Sequence, residues 1–177
     1  TAGEVLSPEF KRAGHPVYRF GGGSGDPAEL RAAWEAFHSL CGQGKVLSAW
    51  AVENGAAEGL MNMSFGNRVG FAADPDAGAP WYDACPGMIL AELTEEISSP
   101  WAEKLGVTTD AAVLRIGDDQ APVEELLALN EGVLEDVYPN RTPPDPAPVP
   151  VLEGPAFTRT APSTGTGTPR VVIPGVP

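Results

Sequence analysis

Between Gly44 and Phe71 the chain reads GKVLSAWAVENGAAEGLMNMSFGNRVGF, and the spacing of its apolar positions changes twice. Val46 to Val52 is a short apolar and β-branched run bounded by Gly44 and by Asn54-Gly55, the pattern of a buried strand. After Gly55 the period becomes helical. Ala57, Leu60, Met61, Ser64 and Phe65 fall at i, i+3, i+4, i+7 and i+8, one face of a short helix. Gly66-Asn67 is expected to end it, because both residue types tolerate the left-handed conformation of a helix C-cap. Val69 to Phe71 then begins another strand. The unit predicted is strand, Asn-Gly turn, helix, strand. Its helix opens directly off the strand's end, where free N–H groups and the positive end of the helix dipole favour an anion.

The flanking segments follow the same rules. Thr1 to His15 has no clear period and reads as a connector. Pro16 to Phe20 is β-prone and stops at the glycine run Gly21 to Gly25. Asp26 is placed as an N-cap, with Pro27 at the first helical position and Glu29 three residues after the cap. Leu30, Ala33, Trp34, Phe37 and Leu40 form that helix's expected buried stripe, and Gly42 closes it. Met88 to Leu93 reads as a buried strand, although its Glu-Leu end also suits a helix. Ser98 to Leu105 reads as a short helix capped by Ser99 and ended by Gly106. Ala111 to Ile116 is a strand stopped by Gly117. Asp119 or Gln120 is expected to start the longest helix, with Val123, Leu126, Leu127, Asn130, Val133, Leu134 and Val137 on one face. Strands interspersed with helices predict an α/β or α+β domain, a mixed β-sheet layered with helices.

Composition changes at Tyr138. From Pro139 onward lie 11 of the 19 prolines and repeated Thr-Gly steps, so 139–169 reads as an extended linker rather than a domain. Residues 139–177 hold three arginines against one Asp and one Glu, a net charge of +1, whereas the whole chain carries −13. That acidity disfavours nucleic acid and anionic membranes as partners, since both need a positive surface to displace counterions. Cys41 and Cys85 sit in unrelated contexts without a Cys-x-x-Cys pair, which fits a reduced, cytoplasmic setting. No apolar run is long enough to span a bilayer.

The 44–71 unit resembles the C-terminal part of the synthetase region of phosphoribosylformylglycinamidine synthase, particularly the large single-chain, clostridial-type form. Ser48, Ala49, Ala51, Val52, Gly55, Ala57, Glu58, Leu60, Met63, Ser64, Phe65, Gly66, Asn67 and Gly70 carry the resemblance, with Asn54 in place of the first glycine of a pair. The closing PRVVIPGVP, at 169–177, resembles the first strand of the glutaminase domain that follows in that enzyme. The resemblance implies an aminoimidazole ribonucleotide synthetase C-terminal domain-like fold at 16–138, with 1–15 as the connector before it. Residues 170–177 would then begin a missing glutaminase domain. It further implies a purine-biosynthesis ligase that uses ATP, magnesium and glutamine. The partners implied are an ATP-binding synthetase domain and the glutaminase domain of the same chain. Selenophosphate synthetase, of related fold, fits less well because it lacks a trailing glutaminase strand. A non-enzymatic binding or dimerisation module of the same layered fold is the rival class.

Candidate chemistry is sparse. Neither cysteine follows the terminal strand, where a glutaminase nucleophile belongs. His38 and Cys41 share a helix face at i, i+3, but two ligands fall short of a zinc site. The glycine run before Asp26 lacks the Gly-Lys-Ser/Thr of a phosphate loop, and Asp26 would set a carboxylate where the anion belongs. Asp118-Asp119 reads as a helix cap and dipole partner. In many relatives the corner after the first strand reads His-Asp-x-Ser-Asp-Gly-Gly, and its Asp and Ser serve a magnesium–nucleotide site. Trp50 and Val52 stand at those positions here, and neither offers the oxygen that magnesium requires. No catalytic residue, metal ligand or cofactor is therefore assigned to this chain. Glu53, Asn54, Gly55, Asn67 and Arg68 are the candidate contacts to substrate or nucleotide, with packing alone as the other reading.

Overall fold

The computed structural model describes residues 5–22 and 26–139. Seven strands and three helices follow in the order β1 (Pro16–Phe20), α1 (Pro27–Gly42), β2 (Val46–Ala51), α2 (Ala56–Phe65), β3 (Gly70–Ala73), β4 (Ile89–Leu93), β5 (Ala102–Thr109), β6 (Val113–Ile116), β7 (Asp119–Pro122) and α3 (Val123–Gly132). All seven strands join one sheet in the order β2-β4-β1-β5-β3-β6-β7. β3 and β6 pair in parallel and every other neighbouring pair is antiparallel. The fold is thus the mixed, helix-layered α/β sheet expected. The linker assigned to 139–169, apart from Pro139, and the strand assigned to 170–177 lie outside the described residues.

Strand alternation sends successive side chains to opposite faces, and the core divides accordingly. Val17 and Leu90 face a cluster built with Ala56, Leu60 and Met63 of α2, Val123 of α3, Phe10, Phe71 and Leu105. Tyr18, Phe20, Ala91 and Leu93 face the other way, onto Ala33, Phe37 and Leu40 of α1. The β2–α2–β3 unit forms as its period predicts. One detail differs: Gly66 stays right-handed at φ −63°, and Arg68 takes the left-handed φ of 56° instead.

Two elements form differently from the sequence expectation. Ser98 to Leu105 is not a helix. Ser99 Oγ accepts from the Trp101 amide at 3.2 Å, a local turn, and the chain then runs as β5 through Gly106. β5 pairs on both sides, with β1 and β3, so interior ladder bonds outweigh the capping signal. Asp119 and Gln120 likewise start no helix. They form β7, the return strand of a hairpin with β6, and α3 begins only at Val123. Asp119 is therefore no cap; its carboxylate accepts from the Tyr82 hydroxyl at 3.3 Å. The longest described helix is α1, at 16 residues, against 10 for α3. Of the face expected on α3, Val123 is buried, whereas Val133, Leu134 and Val137 are 77%, 59% and 66% exposed and lie past the helix end. Trp34 of α1 is also more exposed than its stripe predicts, although its indole N–H donates to the Gly87 carbonyl at 2.8 Å.

Candidate functional site

The turn between β2 and α2 is closed from within. Gly55, at φ 125°, is the N-cap of α2, and a Cβ there would stand 2.6 Å from the Trp81 carbonyl oxygen. The loop over it uses the helix's first donors: Ala56 N–H donates to Pro80 O at 3.0 Å and Ala57 N–H to Trp81 O at 2.9 Å. Glu58 reaches back to accept from the Asn54 backbone and side-chain amides, each at 3.2 Å. The carbonyl of Glu53 accepts from the Cys85 amide at 3.3 Å. The anion-favouring end of the helix is therefore met by two carbonyl oxygens and a carboxylate of the chain itself. Val52 is buried in the core beneath this turn, with Trp50 packed against it. Magnesium finds no oxygen ligand in either side chain.

Asn67 and Arg68 sit at the other end of α2, about 15 Å away for a ten-residue helix. Asn67 Nδ2 donates to the Phe10 carbonyl at 2.7 Å. Arg68 Nε donates to Glu124 of α3 at 2.9 Å, and its Nη1 donates to the Phe65 carbonyl. The five candidate residues thus form two groups, Glu53–Asn54–Gly55 and Asn67–Arg68, separated by the length of α2. The side-chain hydrogen bonds of Asn54, Asn67 and Arg68 hold neighbouring elements together.

A recess lies elsewhere. A cleft of about 510 Å³ opens between the end of β1, the start of α1, the turn before β4 and the start of β5. Leu30, Ala33, Pro86, Pro100 and Trp101 give it apolar walls. Arg19 and Glu103 supply its ion pair, with Arg19 Nε donating to Glu103 at 2.9 Å and Nη1 to the Gly21 carbonyl at 3.3 Å. The Gly78 amide donates to the second carboxylate oxygen at 3.1 Å. Cys85 donates its thiol to the Gly22 carbonyl at 2.9 Å. Arg19 and Glu103 are paired with each other, and Glu29, an exposed carboxylate, also lines the cleft. Cys41 stands apart on α1, where burial pushes its thiol up. Among the described residues, no group of three or more His, Cys, Asp and Glu side chains could hold a metal ion.

The least expected polar group is Glu92 of β4, fully buried. It accepts from Ser48 Oγ at 2.8 Å, from the Lys11 amide at 2.8 Å and from His15 Nδ1 at 2.6 Å. A signal for it was available. Glu92 lies two residues from Leu90 in an apolar run, so alternation sends it to the core face. The partners could not be read, since Lys11 and His15 come from the aperiodic connector.

No known family's sequence profile matches the chain, and neither does any curated protein. Solved structures do match. Thermotoga maritima PurL complexed with AMPPCP aligns over 70% of this chain and 27% of its own, at 15% identity and TM-score 0.55. The structure of PurLQS from Thermotoga maritima gives 70% and 28%, at 16% identity and TM-score 0.56. T. maritima PurL complexed with FGAR gives 89% and 33%, at 13% identity and TM-score 0.54. The chain spans about a third or less of the proteins it matches. At this identity the likeness establishes the fold, and that fold is the one found in the synthetase PurL.

Proposed function

We propose that this chain is the second C-terminal synthetase domain of a single-chain phosphoribosylformylglycinamidine synthase, followed by the linker to a glutaminase domain. The whole enzyme would convert formylglycinamide ribonucleotide to the amidine in the cytoplasm, using ATP and the amide nitrogen of glutamine. ATP would activate the substrate's amide oxygen, and ammonia would displace the phosphoryl group. The observation that carries the reading is the β2–α2–β3 unit, whose helix ends in MSFGN, set in a sheet that aligns with PurL. Two of the solved neighbours hold nucleotides, ADP and AMPPCP, and a third holds FGAR. Trp50 and Val52, at the positions the resemblance gives to magnesium ligands, offer no oxygen. Nucleotide and magnesium would be held by the partner synthetase domain.

On this reading the 177-residue chain is catalytically silent. Isothermal titration with ADP and magnesium should give no binding heat, and incubation with formylglycinamide ribonucleotide, ATP and glutamine should give no amidine. Turnover by this chain would overturn the assignment of its role. Extending the reading frame tests the parent enzyme: a Gly-Thr-Asn-Cys-like elbow soon after Pro177 supports a glutaminase, and its absence argues against one.

A second reading, a dimerisation module without an enzymatic parent, is favoured by one observation. Leu129, Val133, Leu134, Val137 and Tyr138 are all more than half exposed around the end of α3. Sedimentation equilibrium decides it, since a dimer abolished by Leu134→Ser would favour this reading.

A further inference from the structure

Residues 5–15 form neither helix nor strand, yet their second half is fastened to the α2 side of the sheet as a strap. Phe10 is fully buried, its amide donates to the Met63 carbonyl at 2.8 Å, and its carbonyl accepts from Asn67. Gly14 N–H donates to Thr108 O at 2.9 Å, and His15 N–H to Thr108 Oγ1 at 2.9 Å. Beneath them lies Glu92.

We propose that Glu92 is the positioning residue of this strap, and that residues 11–15 open as one unit around it while Phe10 stays in the core and the sheet stays folded. A carboxylate taken out of water needs strong donors in place of its hydration shell. Glu92 has three, and two of them, the Lys11 amide and the His15 ring, come from the strap; only Ser48 belongs to the sheet. Strap and carboxylate therefore depend on each other. The Lys11 ammonium is engaged elsewhere: its Nζ donates to Ser7 and to Glu9, the latter at 2.7 Å. When the strap lifts, water reaches Glu92 and restores the hydration it lost. Opening this seam thus costs less than opening an apolar one, which sets the strap apart from the ladders of β1, β4 and β5.

Native-state hydrogen exchange on the 177-residue chain tests this. Gln at position 92 keeps the shape but offers one acceptor oxygen in place of two. Glu92→Gln should speed exchange of the Lys11, Gly14 and His15 amides by about tenfold or more, and that of β3–β5 ladder amides by less than about threefold. Ser48→Ala, which cuts only the sheet's own contact, should leave the strap amides within about threefold of the parent chain. Should Glu92→Gln fail to fold, His15→Gln gives the same reading, with acceleration confined to Lys11 and Gly14 as the supporting result. Equal acceleration in strap and sheet, or none in either, overturns the proposal. The proposal stands apart from the functional assignment, because it concerns only contacts within this domain.

Discussion

The two sides of the sheet are built on different principles, and their helices show it. α2 has no side-chain hydrogen bond at its N-cap, yet Ala56, Gly59, Leu60, Met63 and Ser64, half of its ten residues, are buried. α1 has the reverse character. Asp26 caps it by accepting from the Ala28 amide at 2.9 Å, Pro27 opens it, and Arg31 pairs with Glu35 at 2.8 Å, but Ala33 is its one buried residue. α2 rests on a buried face without a side-chain cap, whereas α1 adds a cap and an ion pair to a face on which Phe37 and Leu40 are only partly buried. The contrast teaches that matching a helical period says little about which interactions keep the helix in place. It also locates the polar core: Glu92 and the strap lie on the α2 side, which holds the larger buried cluster.

Substitutions can break or sharpen this contrast. Leu60→Ala on the α2 side should cost about 2–5 kcal/mol in urea unfolding, since it empties a fully buried site in the cluster that includes Leu90 and Phe71. Gly55→Ala should cost roughly 2 kcal/mol, because the added Cβ meets the Trp81 carbonyl at a positive φ. Asp26→Ala should cost about 1 kcal/mol, the value of one exposed cap. If Asp26→Ala proves costlier than Leu60→Ala, the contrast between the helices fails. Arg31→Ala should change stability by less than about 0.5 kcal/mol, as both partners of its ion pair are largely exposed.

The smallest effect concerns charge at the start of the strap. The Lys11 ammonium and the Ser7 hydroxyl hold the Glu9 carboxyl down at about 2, against an ordinary value of 4.5. A lowered folded-state value means a contribution present above the unfolded pKa and lost as pH falls through the folded one. NMR titration of the Glu9 side chain should therefore place its midpoint near 2, and Lys11→Ala should return it toward 4.5. An unchanged midpoint in that variant would remove Lys11 as the cause.

Much of the fold was legible because the signals were local. The glycines and the change of period around Gly55 mark β2, α2 and β3, and the Asp26-Pro27 pair marks the start of α1. Where a local signal competed with ladder pairing, the ladder won. Ser99-Pro100 carries a capping signature, but β1 and β3 leave open the one interior place that β5 fills. The α3 pattern failed for a related reason. Its apolar period continues to Val137, but burial needs something to pack against, and beyond Gly132 those side chains remain exposed.

The candidate site divides the same way. That Trp50 and Val52 offer magnesium no oxygen could be read directly, since it depends only on residue type. Occupancy of the β2–α2 turn by the Pro80 and Trp81 carbonyls could not, because those atoms arrive from a loop about two dozen residues downstream. Glu92 is the sharpest case. Sequence determined that a carboxylate sits at a core-facing position of β4. Only the tertiary structure supplied its donors, from 44, 77 and 81 residues away. A short-range pattern encodes which face a side chain takes. What meets it there is decided by contacts that exist only once the chain has closed on itself.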